Sequence, residues 1–399
     1  MTDPAGARWV HTWVAAPQLT EPDNMPPPPF TRDGLVLAGA TLRQTVRVSA
    51  GGTRTRLRFS NAFGGAALPL TKAAVALPAG GRAGVAAVEP GTSRPVTFGG
   101  RPSVTIPVGA QAVSDPLDLA PAPRSNLTVT IHLAEGQAST AITSHPGSRT
   151  TSHIVGGDHV SRVDLTGATS TDHWYFLSGV EVLAPAGTAG LVVIGDSLTD
   201  GRGSTTNGND RWPDRLADRL HASPSTRHVA VLNQAAGGNR VLDDGLGPSV
   251  LARLDRDLLA LSGVRWLLLF EGVNDIGTAA ATPGEQARVA ADLIAAYEQI
   301  VTRAHAHGIP VYGGTITPFG GNDPGYDDPG GLRADTRQVV NHWIRTGGGF
   351  DAVVDFDRVI GDPADPRRIR PAYDTGDHLH LNPAGYQAVA DAVPAALFR

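Results

Sequence analysis

The run Leu191-Val192-Val193-Ile194-Gly195-Asp196-Ser197-Leu198-Thr199-Asp200-Gly201 constrains this chain more than any other stretch. Four consecutive apolar residues closed by a glycine read as a fully buried strand. A Gly-Asp-Ser turn then places a hydroxyl at the carboxyl end of that strand, where open α/β sheets bind their ligands. A serine hydroxyl is a weak nucleophile alone. Chemistry at Ser197 therefore requires a base, a group that orients the base, and donors for an oxyanion, all from elsewhere in the chain.

Composition narrows the alternatives. A length of 399 residues exceeds what one hydrophobic core usually holds and points to two domains. The net charge of -5 offers no basic surplus for a nucleic-acid partner. With no cysteine, disulfides, thiolate metal sites and cysteine nucleophiles are excluded. His145, His153 and His159 lack a compact metal-ligand spacing with carboxylates, so neither a metal nor a cofactor is expected. The N-terminus lacks a basic segment followed by an apolar run, and no apolar run approaches the roughly 20 residues of a membrane span. A cytoplasmic location is the default expectation, although a secreted chain trimmed of its leader would look the same.

Two patterns divide the chain. From about residue 9 to 182, short β-type runs alternate with Gly and Pro turns. Residues 41–48 and 53–59 alternate apolar and polar side chains, the mark of half-buried antiparallel strands. Further runs at 68–77, 95–98, 104–107, 127–133, 140–143 and 173–182 predict a β-sandwich or jelly-roll-like domain over residues 1–187. The polar stretch 144–153 reads as a solvated loop. Residues 183–190 are small, with Pro185 and Gly187, and read as the boundary.

Beyond it, strands at 191–194, 229–232, 266–270, 311–315 and 352–356 alternate with helices at 213–220, 248–261, 285–307 and 333–345, and a last helix opens at Asn382-Pro383. This alternation predicts a three-layer α/β/α domain with a parallel five-stranded sheet over residues 188–399.

Several strands end in unusual polar sequence. The first ends in Gly195-Asp196-Ser197, and the second in Asn233-Gln234-Ala235-Ala236-Gly237-Gly238-Asn239-Arg240. The third ends in Glu271-Gly272-Val273-Asn274-Asp275, and Asp377-His378-Leu379-His380 precedes the last helix. Parallel strands bring such ends to one rim. In this order the four blocks resemble those of the SGNH hydrolases, also called GDSL esterases and lipases. More loosely, Asp200-Gly201-Arg202-Gly203-Ser204-Thr205, Arg211-Trp212-Pro213-Asp214 and Thr317-Pro318-Phe319-Gly320-Gly321 resemble two-domain members grouped with carbohydrate esterases.

The resemblance implies a serine esterase. Ser197 would be the nucleophile, His380 the base and Asp377 its orienting acid. The N–H groups of Ser197 and Gly238 and the side-chain amide of Asn274 would form the oxyanion hole. Gly237 is a rival for Gly238, being adjacent. Asp196 and Asp275 are expected to brace loops by accepting backbone N–H groups, and His378 to be a neighbour of the site. Arg240, Arg333 and Arg337 are open to two readings, neutralisation of an anionic substrate or plain surface. The implied substrate is a small-molecule or carbohydrate ester with a short acyl group, such as O-acetyl on a sugar. An intracellular tailoring esterase, an acyltransferase with the same triad and a non-catalytic carbohydrate-binding protein are the alternatives.

Overall fold

The computed structural model describes residues 6–399. They form two compact units, one taking the chain through Thr188 together with Thr206–Asn209, the other comprising Ala189–Thr205 and Asp210–Arg399. The short return at 206–209 has no counterpart in the sequence pattern.

The first unit is antiparallel. A six-stranded sheet runs in the order Thr169–Thr171, Ser152–Gly156, Ala40–Arg47, Asn126–Leu133, Lys72–Ala76, Arg94–Val96. A four-stranded sheet runs Arg8–Val14, Leu177–Ala184, Thr55–Ser60, Gln111–Val113. One apolar cluster takes Leu42, Val46, Val129 and Ile131 from the first sheet and Leu57, Phe59, Leu177 and Val180 from the second. Two sheets that share a core make a sandwich.

Two local expectations fail here for the same reason. Strand Ala40–Arg47 is covered on both faces rather than one, because the Arg43 guanidinium lies under the chain and donates to the carbonyls of Ala86 and Arg162. The stretch 144–153 is not a solvated loop. His145 is buried, lies 3.0 Å from the Ala16 carbonyl through Nδ1 and stacks on Trp174, while Ser152 and His153 enter a strand. Polar residues read as solvent-facing from pattern alone become interior once carbonyl acceptors cover them.

In the second unit the strands are β1 (Ala189–Gly195), β2 (Val229–Asn233), β3 (Val264–Phe270), β4 (Val311–Gly314) and β5 (Ala352–Val354). The sheet is wholly parallel in the order β2-β1-β3-β4-β5. Leu191, Val192, Val193 and Ile194 are each fully buried, as a strand covered on both faces requires. Its helices are α1 (Ser197–Asp200), α2 (Trp212–Ala222), α3 (Val250–Leu254), α4 (Val273–Thr278), α5 (Pro283–His305), α6 (Leu332–Thr346), α7 (Phe356–Ile360) and α8 (Pro383–Ala392).

Local chemistry sets several bounds. Asn382 caps α8 by accepting from the N–H groups of Ala384 and Gly385, with Pro383 in the first turn. Asp355 caps α7 and ends β5 two residues before the apolar pattern does. The single helix expected over 248–261 is instead the short α3 followed by a wider turn over Asp255–Leu259.

The strand order reverses between β1 and β3, and this switch point is where a crevice opens at the carboxyl edge of such sheets. The turn leaving β3 depends on Gly272, at φ 121. A Cβ there would fall 2.5 Å from the Tyr297 hydroxyl and 3.1 Å from Ile316 Cδ1. Gly272→Ala is therefore expected to cost about 1–3 kcal/mol of stability from backbone strain, before any steric penalty. Urea unfolding of the two proteins measures it, and an unchanged midpoint would mean the turn tolerates a side chain.

Candidate active site

The turn after β1 is built around Asp196, whose carboxylate accepts the Leu198 N–H at 2.8 Å and caps the single turn α1. That cap sets Ser197 at the first helical position, mostly buried, with its Oγ 2.8 Å from His380 Nε2. His380 Nδ1 lies 2.6 Å from Asp377 Oδ2. The other oxygen of Asp377 accepts the N–H groups of His380 at 2.8 Å and Leu379 at 3.0 Å and the Thr375 hydroxyl at 3.0 Å. Burial pushes the Asp377 carboxyl up, but these donors and the imidazole outweigh it and hold the group well below the usual carboxylate range. An ionised Asp377 can only accept, so it fixes the imidazole proton on Nδ1, which leaves Nε2 as the acceptor for the serine hydroxyl.

His378 is not part of this chain of contacts. It pairs through Nδ1 with Asp374 Oδ2 at 2.6 Å, and its side chain is 44% exposed.

The second strand end supplies a loop fixed from beneath. Buried Arg253 donates through Nε and Nη2 to Asn239 Oδ1, at 3.0 and 2.8 Å, and through Nη1 to the Gln234 carbonyl. Within the loop, Gly238 sits at φ 70, and a Cβ there would fall 2.5 Å from Leu246 Cδ1. For a Cβ on Gly237 the nearest atom is 3.6 Å away. Position 238 therefore demands glycine and position 237 does not.

Asn274 lies in the first turn of α4 and is almost fully buried. Its Nδ2 donates to the Asn239 carbonyl at 2.7 Å, and its Oδ1 accepts from the Tyr326 hydroxyl. An amide nitrogen carries two hydrogens, so one remains for another acceptor. Next to it, Asp275 accepts the N–H groups of Val241 and Leu242 and ties α4 to the Gly238 loop. Among the described residues no acceptor meets the N–H groups of Ser197 or Gly238. A buried hydroxyl with an acceptor nitrogen, an ionised acid behind it, and three donors on adjacent turns is an arrangement suited to acyl transfer.

The arginines resolve differently. Arg337 is buried and paired with Asp357, Arg333 donates to the Ala279 carbonyl, and half-buried Arg240 donates to the Asp244 carbonyl. In the 320–331 loop, Asp327 accepts from the N–H groups of Gly321 and Asp328, and Asp328 from those of Leu332 and Arg333. Among the described residues no group of three or more His, Asp or Glu side chains is placed to hold a metal ion. No described helix is long and apolar enough to cross a membrane.

Arg253 and Tyr326 shape this site and carry no sequence signal for it, while Asn239 and Glu271 lie within the polar strand-end blocks but have no role that the blocks assign. Glu271 ends the third strand block and is buried, and neither of its carboxyl oxygens has a hydrogen-bond partner of good geometry. The carboxyls of Asp196 and Asp275 lie near enough to raise it further. Burial pushes Asp196 up to about 7 and Glu271 well above the usual range, the latter also through Asp196 and Asp275. Burial likewise raises Asp275 to about 6 against the backbone bonds that lower it.

A carboxyl raised in the folded state binds its proton more tightly there than in the unfolded chain. The stability this confers is complete below the ordinary Asp value of 3.8 and is lost as pH rises through about 7. In Asp196→Asn, which keeps a good helix cap, that slope disappears. The stability difference between wild type and variant, from urea unfolding at a series of pH values, is expected to shift against wild type between pH 4 and 8. A constant difference would mean that Asp196 is not protonated in the folded protein.

Residues 193–388 match the GDSL-like Lipase/Acylhydrolase family. Similar solved structures include an acetylxylan esterase from Geobacillus stearothermophilus, at 20% identity over 51% of this chain and 91% of that one, TM-score 0.37. A GDSL-like lipase from Bacteroides thetaiotaomicron has 15% identity over 52% and 87%, TM-score 0.37. An α/β hydrolase from the metagenome of Lake Arreo, Spain, has 24% identity over 51% and 92%, TM-score 0.36. No curated protein matches the chain. Residues 193–388 carry a domain of the GDSL-like Lipase/Acylhydrolase family, which supports a carboxylic ester hydrolase.

Proposed function

We propose that the chain hydrolyses short-acyl carboxylic esters through an acyl-enzyme on Ser197. The observation that carries the reading is the unbroken contact from Ser197 Oγ to His380 Nε2 at 2.8 Å and from His380 Nδ1 to Asp377 at 2.6 Å.

In this mechanism Oγ attacks the ester carbonyl carbon as its proton passes to Nε2. Asp377 stabilises the imidazolium and holds its tautomer. The carbonyl oxygen becomes an oxyanion and takes the N–H groups of Ser197 and Gly238 and the second Nδ2 hydrogen of Asn274. Collapse expels the alcohol, which leaves with the proton from Nε2. Water then repeats the sequence on the acyl-serine, with His380 again taking and returning a proton, and the acid departs. The net change is one ester and one water converted to one acid and one alcohol.

The short acyl group, and an O-acetyl on a sugar or glycosylated compound as its natural setting, rest on the sequence blocks at 200–205, 211–214 and 317–321 that resemble carbohydrate esterases. A series of p-nitrophenyl esters of increasing chain length, with acetylated sugars alongside, is expected to give the highest kcat/KM for acetyl. A preference for long chains would overturn that part of the reading. Ser197→Ala is expected to lower kcat on p-nitrophenyl acetate by about 10⁴-fold or more with the fold retained. Asn274→Ala is expected to lower it by about 10²–10³-fold. Substantial activity in the Ser197 variant would rule that residue out as the nucleophile.

A further inference from the structure

We propose that Tyr326 is a positioning residue that acts through Asn274, orienting and polarising the side-chain amide offered to the oxyanion; this rests on the ester-hydrolase reading above. A carboxamide is nearly symmetric in shape, and which end faces the reacting oxygen is set by its hydrogen-bond partners. At Asn274 the nitrogen end is tied to the Asn239 carbonyl at 2.7 Å, and the oxygen end receives the Tyr326 hydroxyl. The phenol has one hydrogen, and it points at Oδ1. Donation into the amide oxygen draws electron density from the nitrogen and strengthens Nδ2–H as a donor, the cooperativity expected of linked hydrogen bonds in a low-dielectric site.

The ring is seated to do this. It lies against Gly277, where a Cβ would fall 2.3 Å from the ring Cγ, and meets Phe319 edge to face with centroids 6.3 Å apart. Tyr326 N–H donates to Asn322 Oδ1 at 2.8 Å, and Asn322 Nδ2 donates to the Asp377 carbonyl at 2.7 Å. One loop is thus fastened both to the turn carrying Asp377 and to the amide of Asn274. Burial, followed by the nearby acids, raises the phenol to about 12, so it remains a neutral donor at any working pH. Because the amide hydrogen meets charge that grows only in the transition state, the effect belongs in kcat rather than KM.

The test is Tyr326→Phe, which keeps the ring and deletes the hydroxyl, made alone and with Asn274→Ala, and assayed on p-nitrophenyl acetate with melting temperatures in parallel. The expected result is a kcat lower by about tenfold or more, with KM within about twofold, an unchanged melting temperature, and no further loss when the change is added to Asn274→Ala. A wild-type kcat in Tyr326→Phe while Asn274→Ala is crippled would overturn the positioning role and leave the oxyanion reading standing. Equal losses from Tyr326→Phe in both backgrounds would also overturn it, since the hydroxyl would then act independently of Asn274. Full activity in Asn274→Ala would overturn the oxyanion reading itself, and this inference with it.

Discussion

The pairing of Gly195 with Phe270 at the carboxyl ends of β1 and β3 is the constraint on which the site depends. Because these two parallel neighbours end level, the Asp196-Ser197 turn and the Glu271–Asn274 turn leave the sheet side by side. On the other flank of β1, Val193 pairs with Asn233, so the Gly238 loop starts from the same edge. A slip of one residue in either pairing would reverse which face each side chain takes and separate the serine from its neighbouring donors. The fourth piece cannot be placed this way, because Asp377 and His380 follow the last strand. Their loop is closed locally, by the bridge between Asp374 and Leu381 and by Asn382, which caps α8 while its Nδ2 donates to the carbonyls of Ala372 and Asp374.

Bringing strand ends together also crowds acids. Asp196, Glu271 and Asp275 are all buried within the same few turns, and each meets the cost of burial differently. Asp275 has the N–H groups of Val241 and Leu242, Asp196 has the N–H of Leu198, and Glu271 is pushed towards its protonated form by burial and by the two neighbouring acids. The protonation of Glu271 matters beyond stability. An ionised pair would place two negative charges behind the edge where Ser197, Gly238 and Asn274 present their donors, and would oppose any negative charge developing there. A proton on Glu271 removes one of them.

This division explains what the sequence could disclose. The five strands, the cap at Asn382 and the four polar blocks are local patterns, and each lies within a handful of residues. The steric reason that glycine is required at 238 rather than 237 lies in a φ value and in Leu246 eight residues on, neither of which adjacency reveals. Tyr326 is further out of reach: it meets Asn274 from 52 residues away in a Gly- and Pro-rich loop without periodicity. Arg43 and His145 misread as solvent-facing, and Arg253 carries no signal at all, for a common reason. Each is a polar side chain whose burial is decided by a carbonyl or amide supplied by distant chain.

The two histidine–aspartate pairs before α8 separate residue type from role. His378 with Asp374 and His380 with Asp377 share the same Nδ1 to Oδ2 distance of 2.6 Å. What differs is the backbone: His378 has φ 61, in the left-handed region that non-glycine residues rarely adopt. That turn sets its ring against Gly321 with the side chain 44% exposed, whereas His380 faces Ser197 with its own side chain only 6% exposed. Burial of the imidazole, not of the acid, separates the pairs, since Asp374 is 8% exposed and Asp377 40%. The buried ring of His380 has one defined neighbour at Nε2, the Ser197 hydroxyl. Two residues of spacing therefore separate a rim histidine from one able to act on a serine, and the selection is made by one backbone dihedral and by burial, not by the presence of a carboxylate.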